Sequence, residues 1–191
     1  HNALGAGRVF AQGAKLVNRA IADGSIFETE LWRSITARHA VSGTLHFIGL
    51  LSDGNVHSHI DHLHAMIDRA VAEGVRCVRV HTLLDGRDVD EKSALRYLEP
   101  LEEKLASLSA KHGVDYRIAS GGGRMNVTMD RYNADWRIVE RGYNAHVKGI
   151  GRAFASASEA VHRYYAEDSE ITDQYLDSFV VADEIGRASC R

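Results

Sequence analysis

The sequence predicts an α/β fold, a mostly parallel sheet flanked by helices. Three observations lead there. Short apolar runs that read as buried strands lie at residues 44–50, 75–84 and 114–119. Longer segments with apolar residues at helical spacing separate them. Each run empties into a short polar stretch containing glycine, at residues 52–59, 85–88 and 120–124. A strand–helix–strand order calls for crossover connections between parallel strands. All three polar stretches then leave the same edge of the sheet, where open α/β folds bind ligands.

The elements follow in order. Residues 1–12 contain Leu4-Gly5-Ala6-Gly7-Arg8. No strand precedes this Gly-x-Gly and no third glycine follows in place, so it reads as a turn before a helix rather than a dinucleotide loop. That helix, residues 8–22, carries Val9, Leu16, Val17 and Ala20 on one side and stops at Asp23-Gly24. A second helix over 29–40 holds Leu31, Trp32 and Ile35, with Trp32 expected in the core. After the first strand comes a helix over 59–72. Ser58 and Asp61 match the S-x-x-D pattern of a helix start. This puts His57 at the positive end of that helix, a position that favours an anion. Beyond the second strand, Asp90 is the expected N-cap of a helix striped with Leu95, Leu98, Leu101, Leu105 and Leu108. Pro100 inside it predicts either a kink or a second helix start. Asp130 reads as the N-cap of a helix through Val147, with Trp136, Val139, Tyr143 and Val147 facing inward. Residues 156–166 form a short helix, and 171–181 return to the sheet.

Composition bounds the partners. The 191 residues, 45% apolar and 26% charged, make one globular domain with a real core. A net charge of −3 and no dense Lys/Arg run speak against nucleic acid. The arginines are dispersed, which suits small anions better than a polyanion. No apolar stretch reaches the length of a membrane span. Cys77 and Cys190 provide neither a disulfide framework nor metal-ligand spacing, and a reducing, cytoplasmic setting is expected. The chain opens on His1 and reads as an internal piece of a longer protein. Residues 185–191, Ile-Gly-Arg-Ala-Ser-Cys-Arg, are what ATC GGA AGA GCG TCG TGT AGG encodes, a common sequencing adapter. The natural sequence is therefore expected to stop near Glu184.

Three stretches carry chemistry. His57, His59, Asp61, His62 and His64 invite a zinc reading, yet on a helix only His57, Asp61 and His64 share a face. A solvated helix face with a single functional His57 is the competing reading. Asp85-Gly86-Arg87-Asp88 is a turn by composition, but it adds a guanidinium fork suited to carboxylate or phosphate and a carboxylate able to carry a proton. A surface ion pair or helix cap would explain it equally. Gly121-Gly122-Gly123-Arg124 reads as a loop whose backbone N–H groups crowd an anion, with Arg124 supplying charge and Arg131 further along. Its alternative is a flexible crossover loop. The convergence of the three favours one anion site.

Those stretches, together with Met129-Asp130-Arg131 and the opening His1-Asn2-Ala3-Leu4-Gly5-Ala6-Gly7-Arg8, resemble cofactor-independent phosphoglycerate mutase over nearly all of residues 1–184. The triple glycine followed by Val127-Thr128-Met129-Asp130-Arg131-Tyr132 resembles the plant and trypanosomatid branch. The resemblance implies a phosphotransferase domain inserted in an alkaline-phosphatase-like domain. Residues 1–12 would be a remnant of the latter and 13–184 most of the former. It implies interconversion of 3- and 2-phosphoglycerate through a phosphoserine. It further implies two divalent metal ions (Mn²⁺, or Mg²⁺ or Co²⁺), no 2,3-bisphosphoglycerate, and a monomer. The serine would lie four residues before His1, and the metal ligands outside this chain. His57, Arg87, Asp88, Arg124 and Arg131 match the family's substrate-binding positions. Asp88 is the expected proton carrier, with His57 assisting. A non-catalytic α/β anion-binding module is the alternative from a different class.

Overall fold

The computed structural model describes residues 13–128 and 135–182. Its centre is a five-stranded sheet in the order β1-β2-β3-β5-β4. The strands are β1 (Leu45–Leu51), β2 (Cys77–Leu84), β3 (Asp115–Gly123), β4 (Arg152–Phe154) and β5 (Phe179–Val181). β1, β2 and β3 are parallel; β5 is antiparallel to β3 and parallel to β4. The predicted mostly parallel sheet is the observed one. Of the predicted return over 171–181 only β5 joins the sheet, and β4 was not anticipated, because three residues are too few to show a period.

Helices α1 (Gly13–Ala22), α2 (Glu30–Val41), α3 (Ile60–Ala72) and α4 (Ala94–His112) stand within a residue or a few of their predicted places. The core joins Leu45, Val78, Val80 and Ile118 of the sheet to Ile67 of α3 and Leu98, Leu101 and Leu105 of α4. The helix α7 (Ala157–Glu167) adds Ala160 and Val161. Trp32 is only half-buried; its Nε1–H donates to Glu73 Oε2 at 3.0 Å. Pro100 neither breaks α4 nor starts a second helix. It lies on the exposed side, where water can reach the carbonyl it leaves unpaired.

Several local expectations are corrected. Asp90 does not cap α4: the buried Asp173 does, its Oδ2 accepting from the Ser93 and Ala94 N–H groups at 2.7 and 2.8 Å. Ser58 does not cap α3; its hydroxyl donates back to the Leu50 carbonyl, and the His59 imidazole accepts from the Asp61 N–H instead. The single turn α5 spans Arg124–Val127, and α6 spans Trp136–Tyr143 with Asp135 as its N-cap. The expected cap Asp130 lies outside the described residues. A π-turn, Asn144–Lys148, continues α6. Trp136, Tyr143 and Val147 point outward, 71%, 53% and 59% exposed. The small residues Gly142 and Ala145 face inward, since a Cβ at Gly142 would meet the Val127 carbonyl oxygen at 2.2 Å. Close backbone approach, not apolar area, orients this helix.

The triple glycine is strand, not loop. Gly121, Gly122 and Gly123 pair with Thr82, Leu83 and Leu84 of β2. A Cβ on Gly121 would lie 2.4 Å from the Phe179 ring, and one on Gly123 would lie 2.4 Å from the Gln174 backbone. The glycines let residues 173–179 press onto the strand.

Opposite the helical core, the sheet carries a polar string. The register slips between Val80 and His81, so Ile118 faces Val80 while Ser120 faces His81. His46 Nδ1 and His81 Nε2 lie 2.9 Å apart, and Ser120 Oγ lies 2.7 Å from His81 Nδ1 and 2.8 Å from His146 Nδ1. Burial, and then the neighbouring His146, His46 and Arg79, push the His81 pKa down to about 3. The unfolded chain therefore binds a proton that the folded chain refuses. His81 weakens the fold progressively as pH falls from about 6.5 towards 3. Between about pH 6.5 and pH 5 this one group should cost about 2 kcal/mol. Urea unfolding at both values should show a smaller acid loss for His81→Asn than for the parent chain; equal losses would contradict the assignment.

Candidate functional site

β1, β2 and β3 end side by side because they are parallel and in register: Leu51 pairs with Leu84, and Leu84 with Gly123. The next residues of each chain segment therefore meet. Ser52 follows β1, Asp85 follows β2, and Arg124 follows β3. Ser52 Oγ donates to Asp85 Oδ2 at 2.6 Å. Arg124 Nη1 donates to Asp85 Oδ1 and to Asp88 Oδ2, both at 2.7 Å. The Asp88 N–H donates to Asp85 Oδ1 at 3.1 Å. Asp85 is 3% exposed. Its burial opposes the charge, but the hydrogen bonds from Ser52, Asp88 N–H and Arg124 outweigh it and hold the carboxyl below its ordinary pKa.

His57 reaches the same cluster, its Nε2 4.0 Å from Asp88 Oδ2, and its side chain is 60% exposed. Its loop is drawn in by close contact, because a Cβ on Gly54 would lie 2.9 Å from the Asp88 carbonyl oxygen. Asn55 takes a positive φ of 57° to complete the turn. The loop is also tied to α4: the Tyr97 hydroxyl donates to Asp53 Oδ1 at 2.6 Å, and Arg96 lies 3.8 Å from Asp53. Arg87 is exposed and makes no ion pair or hydrogen bond through its guanidinium among the described residues.

Of the predicted site residues, the structure thus gathers His57, Asp88 and Arg124, with Arg87 on the same short loop as Asp88. Arg131 lies outside the described residues. Asp85, Ser52, Tyr97 and Asp53 were missed. In the sequence Asp85 has only the look of a turn residue, although a buried partner for Arg124 has to come from one of the polar stretches. The backbone of the triple glycine is not an anion cradle; the Gly123 N–H donates to the Leu176 carbonyl at 2.9 Å. The histidines of α3 do other work: His59 caps the helix and His62 bonds Asn18 of α1. Among the described residues no three His, Cys, Asp or Glu side chains are placed to hold a metal ion. A cleft of about 880 Å³ lies elsewhere, beside the N-terminal half of β3 against Tyr116, Ile118 and Phe154. Volume alone does not locate this chemistry.

Fold and cluster together define an α/β domain with a histidine, arginine and carboxylate group at the C-terminal edge of its parallel strands. Residues 17–190 match the family model described as BPG-independent PGAM N-terminus (iPGM_N). The chain belongs to this family of 2,3-bisphosphoglycerate-independent phosphoglycerate mutase N-terminal domains. It is 58% identical over 184 residues to a probable 2,3-bisphosphoglycerate-independent phosphoglycerate mutase of Leptospira interrogans, covering 96% of this chain and 33% of that protein. It is 53% identical over 188 residues to the 2,3-bisphosphoglycerate-independent enzyme of Trypanosoma brucei, covering 98% of this chain and 34% of that protein. Among solved structures it resembles Leishmania mexicana phosphoglycerate mutase, studied at low cobalt concentration. The TM-score is 0.91 at 48% identity, over 96% of this chain and 33% of that one. The chain spans about a third of the length of these relatives. No helix among the described residues is long and apolar enough to cross a membrane.

The Ser52 hydroxyl is the neutral strut of the cluster. Ser52→Ala should destabilise the fold by about 1.5–3 kcal/mol at pH 7, because it strips a hydrogen bond from a buried charged acceptor. The folded state holds Asp85 below its ordinary value of 3.8, so this stability is present above that value and is lost as pH falls through the depressed one. The gap between parent and variant in urea midpoint should therefore narrow on the acid side. A gap that does not change with pH would contradict the charged state of Asp85.

Proposed function

We propose that this chain is the substrate-gripping part of a 2,3-bisphosphoglycerate-independent phosphoglycerate mutase, which interconverts 3- and 2-phosphoglycerate. In this reading residues 13–184 form most of the phosphotransferase domain. Residues 1–12 are a remnant of the neighbouring domain. The observation that carries the reading is Arg124 Nη1 suspended between Asp85 and Asp88, with His57 beside Asp88.

The substrate is a small molecule with a carboxylate at one end and a phosphate at the other. Arg87 is exposed and free of ion pairs among the described residues, so it can swing onto either group. Arg124 offers Nε and Nη2, which donate no hydrogen bond among the described residues, while Nη1 anchors it. Arg131 is assigned to the same task by its place in the motif. Planar guanidinium groups bind such anions through paired hydrogen bonds. Moving a phosphoryl group between two hydroxyls requires one oxygen to gain a proton and the other to lose one. Asp88 performs both transfers: it gives its proton to the ester oxygen that loses the phosphoryl group in one half of the cycle, and takes a proton from the hydroxyl that receives that group in the other. His57 steadies its charge from 4.0 Å. The phosphoryl group itself leaves and returns through a serine outside this chain. The two divalent ions implied by the family find no donor set among the described residues, so their ligands are assigned to the rest of the parent protein. A cytoplasmic, monomeric enzyme completes the proposal.

Calorimetric titration of the 191-residue chain with 3-phosphoglycerate tests this. Binding is expected, weakened about tenfold or more by Arg124→Ala, which loses charge-assisted hydrogen bonds. The gene beyond His1 should encode a serine four residues upstream. No heat of binding at millimolar ligand would count against a self-sufficient site, and no serine there would favour a non-catalytic anion-binding module.

A further inference from the structure

One guanidinium nitrogen serves two carboxylates here, and the two are not equivalent. Asp85 is sealed beneath the loops and receives three hydrogen bonds, from Ser52 Oγ, the Asp88 N–H and Arg124 Nη1. Asp88 sits higher, 16% exposed in its side chain, and among the described residues its carboxylate accepts only from Arg124. From these contacts we infer that Asp85 is a positioning residue: it is the standing counter-charge of Arg124, and so leaves Asp88 free to take up and release a proton. If Asp88 were the sole partner of Arg124, each protonation of Asp88 would strand a half-buried guanidinium without a counter-ion. With Asp85 fixed beneath, the cation stays paired and in place whichever state Asp88 is in. Two carboxylates sharing a site, set apart by their surroundings, divide into a permanent charge and a proton carrier.

The groups around Asp88 are consistent with this division. Among the described residues, the charged or titratable side chains in contact with it are His57 from the loop after β1 and Arg124 from the end of β3. Its own loop contributes Asp85, which shares Arg124 Nη1 with it, and the neighbouring Arg87. The hydrogen bonds that lower the pKa of Asp85 include the backbone N–H of Asp88 itself, so the two residues are locked in one turn whatever the proton does. The inference rests on the proposal that Asp88 carries the proton in phosphoglycerate turnover, but the charge division can be read without any ligand.

The test is a carbon-13 carboxyl titration of the 191-residue chain by NMR. In the parent chain Asp85 should titrate below its ordinary value of 3.8; a midpoint raised above that value overturns the inference with no variant needed. In Asp85→Asn, Asp88 loses a like-charged neighbour and becomes the only counter-ion of Arg124. Both changes favour its ionised form, so its midpoint should fall by about one pH unit. In Ser52→Ala, which keeps the Asp85 charge, the Asp88 midpoint should move much less. An Asp88 midpoint that stays in place or rises in Asp85→Asn contradicts the inference. If the titrations behave as expected and 3-phosphoglycerate does not bind, the charge division stands and the substrate assignment falls. If it binds and the Asp88 midpoint ignores Asp85, the assignment stands and the division falls.

Discussion

The ion cluster of Arg124 with Asp85 and Asp88, tied to the end of β1 by the Ser52 hydroxyl on Asp85, is what makes three separate loops into one site. Each of its members is the first or nearly the first residue past a parallel strand. Their meeting is therefore dictated by the register of β1, β2 and β3 rather than by the loops themselves. A half-buried guanidinium needs a paired, hydrogen-bonded carboxylate or it would not stay inside. Asp85 meets that need from below, and the exposed His57 and Arg87 and the partly buried Asp88 lie above it.

The same economy of backbone recurs around the site. The glycines of β3 carry no side chain because residues 173–179 lie on them, and that same segment supplies Asp173 to cap α4. The helix that carries Tyr97 to Asp53 is thus started by a residue almost 80 positions away. The α/β layer holds its edge by long-range caps and close strand contacts, while the charged cluster is confined to short turns. Such a division suits a domain that must present charged groups to a small anion without rearranging its core.

Much of this was legible in the residues. The three strands and the helices between them followed from apolar spacing, and the convergence of His57, Asp88 and Arg124 followed from the parallel order. What escaped has physical causes. Gly121-Gly122-Gly123 has the composition of a loop, and only the presence of Phe179 and Gln174 against it reveals a strand. The bulge that sets Ser120 between His81 and His146 is a one-residue slip that no periodicity announces. Trp136, Tyr143 and Val147 form an apolar stripe, yet Gly142 and Ala145 win the inner face because backbone must approach there. Asp85 and Asp88 are alike in sequence; burial and hydrogen bonding set their surroundings apart.

In the proposed function the ends of β1, β2 and β3 form one anion-binding surface. Amide chemical-shift mapping of the 191-residue chain with added 3-phosphoglycerate addresses it directly. The largest perturbations should fall together on residues 52–57, 85–88 and 124, with the His46–His146 string on the other face little changed. Perturbations confined to one of those loops, or centred on the cleft beside Tyr116 and Phe154, would contradict it.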